Sequence, residues 1–343
     1  MNKEMKAIGF TKYLPINDPE SLFEFTENMP EPQAKDLIVK VEAVSVNPVD
    51  VFTRRGQKKQ LAEPKVIGYD AYGNVVETGS KTSLFKQGDK VFYAGAYDRP
   101  GSDSEYQAVD EIIVGHAPKQ LSIAESAAMP LTSLTAWESL FEQMNININD
   151  VDNNQKQSIL IINGSGGVGS IATQLAHLAG LKVIATAGKA EAKAWELSHW
   201  VDYVVDYHED LVKQVNDLGF KKVNYILELS NLNFYWPVIT KLIAPFGKIV
   251  STTGSGRNLD FSSLKSRMVS FGWEWMYAKS WYQTPNMISQ HEILDKVSKL
   301  LDEGKIKSTL TKTLTPINAD NLRTATKMVE SKHMLGKVVV KNN

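Results

Sequence analysis

Short apolar runs alternate with longer segments of helical spacing through the middle of the chain. Residues 159–162 are all apolar, as in a strand that is buried on both faces of a parallel sheet. Ile171, Leu175 and Leu178 then recur at helical spacing until Gly180. Further apolar strands are predicted at 183–187, 202–206, 225–229 and 247–253. This alternation predicts an α/β fold with a doubly wound parallel sheet.

The pattern differs on either side of this segment. Residues 37–46 alternate in part with period two, and Asn47-Pro48 after them predicts a turn. The first part is predicted to be a mostly antiparallel β-domain, and an apolar helix near Ala127 marks its end. Further short β-rich segments are predicted at 73–77, 90–93 and 111–114. Towards the C-terminus, amphipathic helices are predicted at 288–301 and 319–329, and a last strand at 337–341.

Glycines follow the apolar run 159–162 with the spacing G-x-G-x-x-G at Gly164, Gly166 and Gly169. The first allows a tight turn, the second lets the backbone approach a pyrophosphate, and the third lets the next helix pack closely on the strand. Strand, loop, helix and second strand occur in the order of one βαβ unit. We therefore expect a dinucleotide at this loop, with its phosphates at the helix N-terminus.

Composition narrows the class of protein. The chain has 343 residues, which is long enough for two domains, and its formal charge of -1 gives no general attraction for nucleic acid or an anionic membrane. The basic cluster of Arg54, Arg55, Lys58 and Lys59 is interpreted as a solvated loop. There are no cysteines, no apolar signal peptide and no apolar run long enough to cross a bilayer. We expect a cytoplasmic protein without a nucleic-acid or membrane partner.

Six motifs, in order, resemble the medium-chain dehydrogenase/reductase superfamily, specifically its zinc-independent quinone oxidoreductase branch. They are V-N-P-V-D at 46–50, G-Y-D-A-Y-G at 68–73, G-D-K-V at 88–91, P-L-T-S-L-T-A-W at 130–137, the glycine loop, and G-K-V-V-V at 336–340. The resemblance implies a Rossmann domain at 131–276, inserted into a β-rich GroES-like catalytic domain made of 1–130 and 277–343. It also implies a homodimer joined through the last strand of the Rossmann sheet.

The metal-binding pattern of zinc alcohol dehydrogenases in the same superfamily is missing. Asn47 stands where the resemblance places the first ligand, Val49 where it places a proton-relay hydroxyl, and Tyr69 where it places a histidine. An amide, an alkyl group and a phenol do not make the tetrahedral site that zinc requires, and the six histidines show no short ligand spacing. We expect no metal. Without a Lewis acid, reduction of a polarised quinone or enone is easier than oxidation of an alcohol.

Asn47, Asp50 and Tyr69 are the candidate catalytic residues, because the resemblance places Asn47 and Asp50 near the nicotinamide. Many relatives carry a tyrosine where this chain has Phe52, so either Tyr69 or water is expected to protonate the product. Asn47 also has a purely local explanation, since Asn-Pro favours turns. Tyr72 and Tyr93 are further candidates for the acceptor site. Aromatic residues crowd 271–282, including Trp273 and Trp275, and form either a wall for a ring-shaped acceptor or part of a core or dimer edge.

The end of the second predicted strand lacks the acid that usually binds the ribose 2′-hydroxyl of NAD. Gly188 there leaves room for a 2′-phosphate, and Lys189 and Lys193 can pair with it, so we expect NADPH. By resemblance Tyr207 lies at the adenosine phosphate and Asn47 at the cofactor. The remaining expected cofactor residues are Thr132, Thr135, Gly164, Ser165, Gly166, Gly167, Val168, Gly169, Leu229, Ser230, Thr253, Gly254 and Lys337.

These observations favour a metal-free oxidoreductase that transfers hydride from NADPH to a quinone or an α,β-unsaturated carbonyl. The alternative is an NADPH-binding sensor or structural protein with little turnover, since an intact cofactor loop beside a poor acceptor site would have a similar sequence. A zinc alcohol dehydrogenase is disfavoured by the missing ligands.

Overall fold

The structure is a computed structural model that describes residues 3–56 and 60–343. Its strands in the described part of the chain are β1 (Glu4–Phe10), β2 (Phe23–Asn28), β3 (Asp36–Ser45), β4 (Lys65–Val66), β5 (Ala71–Thr78), β6 (Lys90–Tyr93), β7 (Tyr106–Asp110), β8 (Val114–His116), β9 (Ser158–Ile162), β10 (Lys182–Ala187), β11 (Tyr203–Asp206), β12 (Val223–Glu228), β13 (Ile243–Ser251), β14 (Ser270–Trp273), β15 (Leu310–Leu314) and β16 (Lys337–Lys341).

The α-helices over the same residues are α1 (Pro48–Arg55), α2 (Ile123–Ala127), α3 (Pro130–Trp137), α4 (Val151–Asn154), α5 (Gly167–Leu178), α6 (Ala190–Ser198), α7 (Leu211–Asp217), α8 (Leu232–Leu242), α9 (Ser262–Lys265), α10 (Ala278–Trp281), α11 (Ser289–Asp302) and α12 (Ala319–Glu330). Short 3₁₀ turns occur at Pro19–Ser21 and Glu111–Ile113, and a π-helix continues α3 at Glu138–Gln143.

The chain divides into two units, one made of Met1–Leu134 with Tyr277–Asn343 and one made of Thr135–Met276. The second unit holds a six-stranded parallel sheet in the order β11-β10-β9-β12-β13-β14. The order reverses beside β9, and ligands of such sheets bind outside the carboxyl ends of the strands at this point. Every residue of β9 is buried, because helices cover both faces of the sheet.

The first unit is β-rich. Within its described residues, one sheet follows the order β15-β16-β3-β5-β6-β8 with β7 also paired to β3, and a second sheet follows the order β2-β1-β4. Strand β16 lies antiparallel to β3, with Val339 opposite Ser45. The end of the chain therefore lies beside the end of β3. The predicted fold class, a parallel sheet inserted into a β-rich unit made from both chain ends, is confirmed.

Some local predictions are wrong. Asn47-Pro48 does not form a simple turn, because Pro48 begins α1 and Asn47 precedes it in an extended conformation. Residues 111–114 are mostly a 3₁₀ turn, in which the carboxylate of Glu111 accepts hydrogen bonds from the backbone N–H groups of Ser83 and Leu84.

The prediction that the basic cluster 54–59 is a solvated loop is wrong for Arg54. Arg54 is 1% exposed on α1, and its Nη2 donates to Glu330 Oε1 over 2.7 Å. Arg55 pairs with the other oxygen of Glu330 over 2.9 Å. Lys58 and Lys59 lie outside the described residues. Across the described ranges, no helix combines the length and the apolar character needed to cross a bilayer.

Candidate functional site

A buried lysine is the centre of a polar network in the first unit. Lys337 begins β16, and the antiparallel register with β3 brings it to Asn47, just past the end of β3. Its Nζ donates to Asn47 Oδ1, to Asp70 Oδ2 over 3.0 Å and to Val46 O over 3.4 Å. An ammonium has three N–H donors, so all of them are used here.

The surroundings of Asn47 fix the orientation of its side-chain amide. Because Lys337 can only donate, the atom facing it is the carbonyl oxygen Oδ1. The amide Nδ2 then donates to Ser45 O over 3.1 Å and to Asp70 Oδ2 over 2.8 Å. Both N–H donors of Asn47 are therefore committed within the network, and the side chain has only acceptor capacity left for a ligand.

Asp70 is the residue that sequence analysis missed. It is 0% exposed, and its Oδ1 accepts the backbone N–H of Leu131 over 2.7 Å while Oδ2 accepts from Asn47 and Lys337. Burial raises the pKa of this carboxyl, and the charge of Lys337 opposes that rise. The available signal was the acid directly after Tyr69 in G-Y-D, paired with the lysine of G-K-V-V-V.

Asp50 supports the backbone on two sides. Its Oδ2 accepts the N–H of Asn47 over 2.7 Å and its Oδ1 accepts the N–H of Gly68 over 3.1 Å. Burial raises the pKa of Asp50 to about 7, against the lowering effects of the Asn47 N–H and the Lys337 charge. Since both oxygens bind backbone N–H groups, the structure favours a positioning role for Asp50, which holds the segments that carry Asn47 and Tyr69.

Tyr69 is the catalytic candidate whose polar atom is not engaged in the Lys337 network of the described residues. Its side chain is 1% exposed, and its hydroxyl makes no hydrogen bond within 3.5 Å among the described residues, although the side chain of Thr53 is close enough to lower its pKa. The ring stacks on Tyr97 with centroids 5.7 Å apart and meets Tyr277 edge-on at 5.6 Å. Burial, followed by the charge of Asp50, raises the pKa of Tyr69, so the phenol keeps its proton at neutral pH.

The four residues predicted to line an acceptor site are divided between the two units. Tyr72 on β5 and Tyr93 on β6 are buried in the first unit, and the Tyr93 hydroxyl has no partner among the described residues. Trp273 and Trp275 are about half exposed in the second unit, at and beyond the end of the edge strand β14.

The glycine loop in the second unit fits a dinucleotide. It connects β9 to α5, and a side chain at Gly169 would overlap the carbonyl oxygen of Asn163, so only glycine lets the helix start this close to the strand. Helix α5 has 12 residues and begins after Gly166 with no side chain capping it. Its first N–H groups, at Gly167, Val168 and Gly169, remain available for phosphate oxygens, with Ser165 and Gly164 before them.

The residues expected at the adenosine end lie together. Gly188 follows β10, and a side chain there would overlap the ring of Tyr207, which packs over it. Lys189 precedes α6 and Lys193 lies one turn further on, both exposed. An acid is also near this edge, because Asp206 ends β11 opposite Ala187, and its Oδ1 accepts the N–H of His208 over 2.9 Å.

Glu228 organises the strand ends that the family resemblance places near the nicotinamide, and sequence analysis missed it too. It ends β12 and is 0% exposed. Its Oε1 accepts the N–H groups of Ser230 and Asn231 over 2.6 and 2.5 Å. Its Oε2 accepts the hydroxyls of Ser251 and Thr253 over 2.7 and 2.6 Å. One carboxylate thus holds the loops after β12 and β13.

The other predicted cofactor residues have mixed surroundings. Leu229 is half-buried and its carbonyl accepts from Asn163 Nδ2 over 3.4 Å. Gly254 borders open space. Thr132 and Thr135 are buried on α3, and the Thr132 hydroxyl donates to Met129 O over 3.2 Å.

Zinc does not fit the donor set. The sequence has no cysteine, and across residues 3–56 and 60–343 no three His, Asp or Glu side chains gather as ligands. Asp70 lies beside Asn47, the expected first ligand position, and its oxygens already accept from Lys337, Asn47 and Leu131. A metal ion there would meet a lysine ammonium at the same oxygens.

Comparisons with known proteins agree on the class. The alcohol dehydrogenase GroES-like domain family matches residues 33–132, and the zinc-binding dehydrogenase family matches residues 167–290. A zinc-type alcohol dehydrogenase-like protein of Staphylococcus aureus is 38% identical over 336 residues, 98% of this chain and 99% of that protein. A crystal structure from Rhizobium etli CFN 42, provisionally named a zinc-dependent alcohol dehydrogenase, is 41% identical with a TM-score of 0.94 and covers 99% of both chains.

A more distant relative is named for its substrate. The chloroplastic NADPH-dependent alkenal/one oxidoreductase of Arabidopsis thaliana is 29% identical over an alignment of 350 residues. That alignment covers 98% of this chain and 80% of the plant protein.

Proposed function

The chain belongs to the medium-chain dehydrogenase/reductase superfamily of NAD(P)-dependent oxidoreductases, and from this premise we propose that it is a metal-free reductase of quinones or α,β-unsaturated carbonyls that uses NADPH. One observation carries the proposal: the ammonium of Lys337 occupies the buried oxygens at the positions that resemble a zinc site.

The Lys337 network supports the proposal that the chain works without zinc. Lys337 is 3% exposed and binds Asn47 and Asp70, which correspond to the first ligand and to the residue after the second. Two cations at the same oxygens repel strongly in a buried site. Zinc binding would require the lysine to leave, the sequence has no cysteine, and the described residues contain no group of three His, Asp or Glu side chains that could hold the metal.

The cofactor is proposed from the residues that would hold it. When bound, NADPH supplies a hydride to an electrophilic carbon of the acceptor. The free N–H groups at the start of α5 suit its pyrophosphate, and the loops fixed by Glu228 would support the nicotinamide half. Lys189 and Lys193 favour a 2′-phosphate. The name of the Arabidopsis relative supports both the cofactor and the enone.

Tyr69 is the proposed proton donor. Its hydroxyl has no partner among the described residues, and its raised pKa keeps it protonated at neutral pH. It can therefore donate to an oxygen that gains negative charge when the acceptor is reduced. Asn47 cannot share this task, because both of its N–H donors are already used.

The same commitment of Asn47 favours a second function. A site with few free donors stabilises a new oxyanion poorly, whereas the dinucleotide loop is intact. The alternative is therefore an NADPH-binding sensor or structural protein with little turnover.

The test uses the whole purified chain after treatment with a chelator. NADPH or NADH is mixed with a panel of quinones and enones, and the loss of nicotinamide absorbance is followed. We expect turnover with NADPH in the absence of metal. Cofactor binding without any oxidation would favour the sensor, and activity only with added zinc and an alcohol would refute the proposal.

We also propose a homodimer that forms through the edge strand β14. The apolar side chains of Phe246 and Met268 are largely exposed in this unit and Trp273 is about half exposed, and among the described residues β14 pairs with a strand on one side only. Light scattering during size-exclusion chromatography should give twice the chain mass of 38.2 kDa. A monomer at micromolar concentration would contradict the dimer.

A further inference from the structure

A carboxyl group without a partner lies directly behind the glycine loop. Glu196 on α6 is 1% exposed, and neither of its oxygens has a hydrogen-bond partner within the described residues. Its Oε1 lies 2.8 Å from the point where a side chain at Gly164 would begin. The N–H of Ser165 faces the same carboxyl. Such a group is costly to bury, and its position beside the loop calls for a functional explanation.

Trp195, the residue before Glu196, is also linked to the glycine loop. Trp195 Nε1 donates to Ser170 Oγ over 2.8 Å, and Ser170 Oγ donates to Ser165 O over 3.2 Å. Helix α6 therefore holds the carbonyl of Ser165 through the Trp195–Ser170 chain, and Glu196 faces the N–H of the same residue. Because the loop amides must point at a pyrophosphate, the state of Glu196 bears directly on the shape and charge of the binding site.

Among the residues that the structure describes, no cation forms an ion pair with the Glu196 carboxyl. The glycine loop carries no ionisable side chain. Burial raises the pKa of Glu196 to about 8, opposed by the Ser165 N–H. Ionisable side chains on the surrounding elements are His177 on α5, Lys182 on β10, Tyr203 and Asp206 on β11, and Glu191, Lys193 and His199 on or after α6.

We propose that Glu196 is a positioning residue of the glycine loop that must be protonated for tight dinucleotide binding, so that cofactor binding at alkaline pH takes up one proton at this side chain. The neutral acid places no charge behind the loop and has an O–H to donate. The carboxylate would repel the pyrophosphate and pull the Ser165 N–H away from it.

Cofactor affinity is therefore expected to fall as the pH rises. The dissociation constants of NADH and NADPH are measured from pH 7 to pH 9.5 by quenching of tryptophan fluorescence. Because burial raises the pKa of Glu196 to about 8, affinity should weaken about tenfold between pH 7 and pH 9. NADH serves as the second ligand because it has no 2′-phosphate to titrate.

Glu196→Gln keeps the shape and removes the charge. We expect it to bind within about twofold of the wild type at pH 7 and to lose the pH dependence. Glu191→Gln, on an exposed position of the same helix, is the matched control and should keep the wild-type slope. A wild-type slope in Glu196→Gln, or loss of binding at pH 7 in a folded Glu196→Gln protein, would overturn the inference.

If Glu196→Gln does not fold, calorimetry on the wild-type protein tests the same inference. Titration with NADH at pH 8 in two buffers of different ionisation enthalpy should reveal uptake of about half a proton per cofactor. Zero uptake would overturn the inference. It rests on the dinucleotide binding in the proposed function and not on the acceptor, so absence of turnover with every quinone and enone would refute the reductase alone.

Discussion

Replacing Lys337 by methionine should break the network in the first unit. The ammonium lies 3.0 Å from Asp70 Oδ2, and the two side chains are 3% and 0% exposed. Removing one partner of such a buried pair leaves an uncompensated charge and costs about 3–5 kcal/mol of unfolding free energy. The loss also leaves Val46 O and Asn47 Oδ1 without their donor. We expect Lys337→Met to be among the most destabilising single substitutions in this unit.

The stability that Lys337→Met loses should be larger at higher pH. Burial already raises the pKa of Asp70, and loss of Lys337 removes the opposing charge, so the folded variant holds the proton to a higher pH. When the pKa of Asp70 is higher in the folded than in the unfolded protein, the folded protein binds more protons at every pH between these two pKa values. The free energy of unfolding then falls as the pH rises through that range. Lys337→Met should lose more stability at pH 8 than at pH 5.

The assay must report on the correct unit. Six of the seven tryptophans lie in Thr135–Met276, so their fluorescence reports mainly on the other unit. Urea unfolding followed by far-ultraviolet circular dichroism, with hydrogen exchange of peptides from β3, β5 and β16, reports on the network itself. Lys341→Met on the same strand is the control and should change stability by less than about 0.5 kcal/mol.

Double substitution provides the decisive comparison. Lys337→Met combined with Asp70→Asn removes both charges and should recover part of the loss, because no buried charge stays unpaired. A cost below about 1 kcal/mol for Lys337→Met, or an equal cost at pH 5 and pH 8, would refute the assignment of Lys337 as the counter-ion of Asp70.

Three further substitutions test individual residues. Tyr69→Phe removes a buried hydroxyl without a partner, so stability should stay the same or rise by about 1 kcal/mol while turnover falls at least about tenfold; a full rate with the acceptor panel would remove Tyr69 from the catalytic residues. Glu228→Gln replaces a carboxylate oxygen by an NH2 group that faces hydrogen-bond donors, so the free energy of unfolding in urea should fall by about 1–3 kcal/mol. Unchanged hydrogen exchange in the loops after β12 and β13 would contradict the role of Glu228 in holding them. Lys189→Ala should raise the dissociation constant of NADPH about tenfold and leave that of NADH unchanged; equal effects on both would disprove a 2′-phosphate contact.

Patterns that depend on local sequence were predicted well. Strands β6 and β16 occupy the residues predicted for them, and the glycine loop lies between a buried strand and a helix. The Asn47-Pro48 prediction failed because asparagine and proline suit both a turn and a helix start. Asp50, three residues on, decides between them by accepting the N–H of Asn47, and the same bond helps to place Asn47 in the site.

The missed residues depend on contacts between distant parts of the chain. Asp70 forms its ion pair with Lys337, which is 267 residues away in the sequence, and this contact requires the pairing of β16 with β3. Glu228 and Glu196 look like ordinary strand-end and helix acids in the sequence. Their burial depends on how β12, β13, α6 and the glycine loop pack, which residue spacing alone does not contain.

Asp70, Glu228 and Glu196 are all buried acids, but their charges are compensated in different ways. A carboxyl inside a protein needs a cation, several donors or a proton. Asp70 has Lys337, Glu228 has four donors, and Glu196 has neither, so a proton is the remaining means of neutralising it. Charge at the Lys337 network is therefore held by an ion pair, whereas charge behind the glycine loop is set by pH. Mildly alkaline conditions should consequently weaken cofactor binding through ionisation of Glu196.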